Sequence, residues 1–145
     1  MRPTEALFQL ADAEGIRVCF YPLQPFYSGL YVRRPGMPPV IGLDVGLLRR
    51  ERELRAVFAE ELGHHFTTSG CWVTLASSEA SRLSRDRVEL RAIRWAIDYL
   101  IDTTELLRAV HRGESAWDLA DRFLVPAPWV LEKMAWLRGR WGKAA

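Results

Sequence analysis

The sequence predicts an α+β fold: a small three-stranded sheet packed on a mostly helical core, with a helical C-terminal half. Two observations carry this. Residues 16–44 contain three short β-rich runs separated by Pro/Gly-containing turns. From about Leu47 onward apolar residues recur at helical spacing. Strands first and helices afterwards is the pattern of an α+β domain. At 145 residues the chain is long enough for one proper core, and residues 1–145 are expected to form a single domain.

The elements follow in order. "TEALFQLADAEG" reads as an amphipathic helix with Thr4 as N-cap and Gly15 as its stop. "IRVCFYPL" alternates and reads as a strand, and "SGLYVRRPGMPPVIGLD" as two more around a turn. Helices are expected at roughly 50–67, 79–102, 104–112, 115–123 and 127–138, with Gly70 closing off the first of these.

Composition excludes several classes. Hydrophobic residues make up 49% and charged residues 26%, with a net charge of only +2, so no nucleic-acid partner is demanded. No apolar run reaches the length of a membrane span, and the N-terminus lacks the apolar core of a signal peptide. A cytoplasmic protein is expected. Cys19 and Cys71 have no metal-type spacing and read as buried thiols.

The chemistry is concentrated in "FAEELGHHFTTSG", residues 58–70. Glu60 and His64 are four apart, so they project from one helix face, at the spacing two ligands of one metal ion need. Glu61 points about 100° away, where the general base sits in the logic of an H-E-x-x-H helix. Gly63 lets another segment approach closely, at a propensity cost of about 1 kcal/mol relative to Ala. Glu61 and His65 offer a competing register, but Leu62 then follows the first ligand and cannot take a proton. His65 lies between Leu54 and Phe58 on the helical wheel and reads as a satisfied core histidine. His111 reads as a helix C-terminal residue placed favourably for the dipole.

A third ligand is expected from "VELRAIRWAIDYLID". Arg82, Ile93, Ala96 and Leu100 fall within about 40° of Glu89 on the wheel, which sets this carboxylate in an apolar stripe. Burying it without a partner would cost several kcal/mol, so it should meet a metal ion or a cation such as Arg82. Asp98 falls on the opposite face, four residues from Arg94, as an ordinary surface pair. Ala92 and Ala96 would let the two helices pack closely. Taken alone, E-E-x-x-H also fits an ordinary solvated helix face.

"FAEELGHHFTTSG", followed 28 residues after Glu61 by "ELRAIRWA", resembles the ImmA/IrrE family of metallopeptidases. The closing segment "SAWDLADRFLVPAPWVLEKMAWL" is similar to the end of that family as well. The resemblance implies a zincin-like core with a metal-binding helix beside a sheet. It implies an endopeptidase that cleaves a helix-turn-helix repressor of a prophage, mobile element or stress regulon. His64 and Glu89 would then be zinc ligands, Glu61 the general base, and Glu60 would stand in the first-ligand position. Glu60 in place of His raises the protein's negative charge at the ion, which should weaken its acidity and makes Mn²⁺ a credible alternative to Zn²⁺.

Two other classes compete. One is a catalytically weak or inactive protein of the same fold that binds the repressor, which Glu60 supports. The other is a DNA reader built from "LADRFLVPAPWVLEKM", whose spacing is similar to a helix-turn-helix with apolar positions at Leu119, Phe123, Val125, Val130 and Met134. Its second helix would offer Trp129, Leu131, Glu132 and Lys133, a poor set for a groove. Trp117, Trp129 and Trp136 are expected in the core, and Trp141 near the surface.

Overall fold

The computed structural model describes residues 1–69, 72–77 and 87–144, with side chains for all of these except 72–77 and 140–144. The elements run α1 (Thr4–Ala13), β1 (Arg17–Tyr21), β2 (Tyr27–Arg33), β3 (Val40–Asp44), a 3-10 turn (Val45–Arg49), α2 (Glu51–Thr67), β4 (Trp72–Ser77), α3 (Arg87–Leu100), α4 (Thr103–His111), α5 (Ala116–Phe123) and α6 (Ala127–Ala144). The α+β class and the helical C-terminal half are as expected. Cys71, Arg82, the helix stop at Gly70 and the expected helical start at 79–86 lie outside the described residues.

The three expected strands form, and β4 joins them in a mixed sheet of order β1-β3-β2-β4. β1 runs parallel to β3, with Arg17 opposite Val40 and Tyr21 opposite Asp44. β2 is antiparallel to both neighbours: Gly29 lies opposite Leu43 on β3, and Tyr27 opposite Ser77 on β4. The register slips between Tyr27 and Gly29, a bulge of the kind that re-aims a strand. α2 ends at Thr67, and Trp72–Ser77 pairs with β2 as an edge strand. Cys19 is free but only half-buried, because β1 is the outer strand of the sheet.

Every residue from Leu54 to His64 is buried, so α2 is enclosed on all sides rather than amphipathic. Leu7 and Ala11 of α1, Tyr31, Ile41 and Leu43 of the sheet, and Ile93 and Ile97 of α3 complete the core around Phe58 and Leu62. Enclosure forces the polar groups of α2 to find partners inside. Arg55, with no exposed surface, donates to the carbonyls of Leu124 (2.9 Å) and Phe123 (2.9 Å) and to the Thr4 hydroxyl (3.2 Å). It thereby satisfies the C-terminal carbonyls of α5, where Leu124 turns into the left-handed region at φ 51°.

Several local expectations are corrected. Thr4 is not an N-cap but the first residue of α1, and its hydroxyl donates to Glu51 at 2.7 Å. Gly15 does end the turn, at φ +69°. Asp98 pairs with Lys133 of α6 at 3.3 Å rather than with Arg94, whose guanidinium lies 4.5 Å from the centre of the Trp136 ring. Packing of α6 across α3 supplies both partners, and no local spacing encodes that. Trp117 is 74% exposed rather than core, whereas Trp129 is buried and Trp136 half-buried. The Trp141 side chain lies outside the described residues.

Candidate metal centre

α2 and α3 meet at two small residues. A Cβ on Gly63 would stand 2.8 Å from the Ala92 carbonyl carbon and 2.9 Å from its Cα. Only glycine permits that approach, and it brings the first turn of α3 level with the last two turns of α2. Glu89, in that first turn, faces His64: Oε2 lies 3.3 Å from His64 Nε2. Glu60 completes the group, and one ligand atom from each of Glu60, His64 and Glu89 falls within 4.8 Å of the others.

The donor set fits a divalent cation. Two ligands held at about 2.0–2.1 Å around a tetrahedral ion are roughly 3.4 Å apart, which the His64–Glu89 pair already matches. Glu60 is 7% exposed and His64 1%, while the Glu89 side chain is 31% exposed, so two of the three ligand candidates are buried and the third reaches toward solvent. Gathering such groups needs a compensating positive charge. The two carboxylates together carry the charge of one divalent ion with its sign reversed. Nε2 is the His64 nitrogen that faces the Glu89 carboxylate. Nδ1 is buried and has no hydrogen-bond partner among the described residues.

The helix end bearing His64 is tied down by three groups. The Thr67 hydroxyl donates to the Gly63 carbonyl at 2.7 Å, and the Thr68 hydroxyl donates to the His64 carbonyl. Arg33 of β2 donates to the carbonyls of His65 (2.8 Å) and Thr68 (3.0 Å). These contacts satisfy the orphan carbonyls of the last turn and hold the His64 backbone in place.

Glu61 is fully buried, and its Oε1 lies against β2. A Cβ on Gly29 of β2 would lie 3.3 Å from Glu61 Oε1 and 2.7 Å from Val57 Cγ1. The strand therefore rides directly over this carboxylate. Gly29 was not singled out from the sequence. Its signal was there: a glycine inside "SGLYV" marks a close approach of another segment to the strand.

His65 is apart from the group and fully engaged, as its place on the wheel suggested. Its Nδ1 is 2.8 Å from the Tyr31 hydroxyl, and its Nε2 is 3.0 Å from Glu14 Oε1. His111 is the last residue of α4. In the α5–α6 pair, Leu119, Phe123, Val125 and Val130 are buried and Met134 half-buried. Trp129 and Lys133 are buried as well, and Lys133 donates to the Ile101 carbonyl, so two of the four candidate base-contacting residues are turned inward. None of the helices among the described residues is long and apolar enough to cross a membrane.

No curated protein matches the chain. Residues 11–134 match the family model described as the IrrE N-terminal-like domain, Peptidase_M78. That span takes in all three residues of the metal-type cluster and Glu61, which points to a metallopeptidase-like function. The chain belongs to the Peptidase_M78, IrrE N-terminal-like, family.

Proposed function

We propose that this protein is a zinc-dependent endopeptidase that cleaves a helix-turn-helix repressor of a prophage, mobile element or stress regulon. Glu60, His64 and Glu89 would hold the ion, and Glu61 would be the general base. The observation that carries the reading is the convergence of Glu60, His64 and Glu89 within 4.8 Å, the first two buried, with the buried Glu61 next to Glu60 in the sequence.

When bound, the ion supplies a Lewis acid that polarises the scissile carbonyl and acidifies a water molecule. The remaining work falls to the chain. Glu61 takes the proton of the attacking water and delivers it to the leaving amine. Gly29 limits how far the Glu61 carboxylate can retreat toward the sheet. The close contact of Gly63 with Ala92 keeps Glu89 within reach of His64. Two carboxylates in the donor set neutralise a divalent ion, so this centre should polarise a carbonyl less than one with two imidazoles, and its oxygen-rich set admits Mn²⁺.

Elemental analysis of the purified chain tests the first step, and proteolysis of candidate repressors by the metal-loaded chain tests the second. Near-stoichiometric zinc or manganese is expected. Glu61→Gln should retain the metal and lose cleavage by about a hundred-fold or more. The absence of bound metal after incubation with zinc would sink the hydrolase reading. Bound metal without cleavage of any repressor would favour the second reading that Glu60 supports, a catalytically weak protein that binds its repressor.

A further inference from the structure

Gly29, Tyr31 and Arg33 occupy alternate positions of β2, so they share one face of the strand. That face runs along α2. Gly29 lies against Val57 and Glu61. The Tyr31 hydroxyl is 2.8 Å from His65 Nδ1. Arg33 reaches the end of the helix. Its Nη1 donates to the Thr68 carbonyl (3.0 Å), and its Nη2 donates to the His65 carbonyl (2.8 Å) and to His65 Nδ1 (3.1 Å).

A guanidinium only donates, so His65 Nδ1 is an acceptor and Nε2 carries the hydrogen that faces Glu14 Oε1 at 3.0 Å. Glu14 is the C-cap of α1, so His65 joins the end of α1, the last turn of α2 and β2 in one network. The Thr67 and Thr68 hydroxyls, in contrast, bond to carbonyls four residues back at the same helix end. They tighten that turn but move with it. Arg33 belongs to the sheet, and its planar fork holds two carbonyls on either side of Thr67, where α2 ends. These bonds oppose rotation of α2 about its own axis and unwinding of its last turn.

Rotation matters because His64 meets Glu89 across the helix pair, with Nε2 3.3 Å from Oε2. A side-chain atom lies about 5–6 Å from the helix axis, so a turn of about 10° moves it by about 1 Å. A metal ligand must be held within about 0.5 Å of its working position. We infer that Arg33 is a positioning residue for the metal centre: it pins the last turn of α2 to the sheet at the rotation that aims His64 at Glu89. One face of β2 then sets two functional groups, Glu61 through Gly29 and His64 through Arg33. The inference rests on the metal-dependent peptidase reading above and adds to it a support from outside the two ligand helices.

The test titrates zinc into the metal-free full chain and records the visible spectrum of its cobalt-substituted form. Arg33→Met keeps the apolar stem and loses all three bonds. Zinc affinity should fall by about ten-fold, the lower end for groups that support a ligand, and the cobalt bands should change in position or intensity, while circular dichroism shows a folded chain. Arg33→Lys keeps the charge but reaches one carbonyl at a time, and should recover part of the affinity. Arg52→Met removes another arginine of this region, one paired with Asp121 near the start of α2 at 2.6 Å, and should leave both readouts unchanged. Parental zinc affinity and an unchanged cobalt spectrum in Arg33→Met would overturn the inference and leave the peptidase reading standing. An equal loss of affinity in Arg52→Met would also overturn it, since the effect would then be general destabilisation. Should Arg33→Met fail to fold, Arg33→Lys decides: a weakened zinc affinity supports the inference, and parental affinity with the parental spectrum overturns it. A parent chain that binds neither zinc nor cobalt would overturn the peptidase reading, and this inference with it.

Discussion

Gly63 and Ala92 touch backbone to backbone, and this contact sets the distance between the two helices that form the candidate metal centre. A methyl group on Gly63 would lie 2.8 Å from the Ala92 carbonyl carbon, with helix backbone on both sides and no flexible side chain to yield. Gly63→Ala should therefore destabilise the fold by about 1–3 kcal/mol, although alanine would favour an isolated helix by about 1 kcal/mol. Forcing α3 outward also carries Glu89 away from His64. Urea denaturation and metal content read both effects. A Gly63→Ala chain as stable and as metal-loaded as the parent would show that the helices are not locked here.

The three clustered residues are expected to contribute unequally. Glu89→Gln keeps the shape of the side chain but removes a charge, and should abolish stoichiometric metal binding. Glu60→His exchanges a carboxylate for an imidazole, and should retain or raise zinc affinity by restoring a nitrogen-richer set. Titration of zinc into the metal-free chain measures both. Loss of zinc binding in Glu60→His would remove position 60 from the ligand set.

Arg55 should matter to the fold and not to the ion. Arg55→Met keeps the apolar stem but loses the bonds to Leu124, Phe123 and the Thr4 hydroxyl. Two carbonyls would be left at the end of α5, and a loss of about 3 kcal/mol is expected. Chemical denaturation should record it, with metal per folded chain unchanged. A near-neutral result would mean that water replaces the guanidinium at these carbonyls.

Acid should weaken the molecule through carboxylates with lowered pKa. Burial raises the Asp44 pKa, but the amides of Gln24, Leu23 and Gly46, helped by Arg50, outweigh it and hold the carboxyl below its ordinary 3.8. Glu114 is held below its ordinary 4.5 mainly by its hydrogen bonds with Arg122, and then with Arg112. A group with a depressed folded pKa contributes stability that is present above the unfolded pKa and is lost as pH falls through the folded one. Urea midpoints taken from about pH 6 down to about pH 3 should thus fall most steeply below the ordinary carboxylate range. Asp44→Asn should be less stable at neutral pH and should lose less on acidification. Parallel curves for the parent and Asp44→Asn would rule out this role for Asp44.

The candidate site was legible in the sequence wherever it depended on local geometry. The spacing of Glu60 and His64 follows from the helical repeat, and the small residues Gly63, Ala92 and Ala96 announced a close crossing. Glu89 stood out as a charge within an apolar stripe. His65 was legible as a satisfied side chain for the same reason. Asp98 shows where that reasoning ends. Its i−4 neighbour Arg94 was the local choice, but Lys133, thirty-five positions along the chain, is the partner the fold provides.

The sequence by itself determined the α+β order of elements, the helical face shared by Glu60 and His64, and the glycine at the crossing, because all three follow from the periodicity of the backbone. Only the tertiary structure decided which groups meet across elements. It brought Glu89 to His64 and laid Gly29 over Glu61. It also added β4 to the sheet edge, buried Arg55 against the end of α5, and left Trp117 in solvent. The reason is physical: a helical wheel or a strand alternation assigns a side chain to a face, but the partner of that face is chosen by packing the whole chain around α2, and no local pattern records that choice.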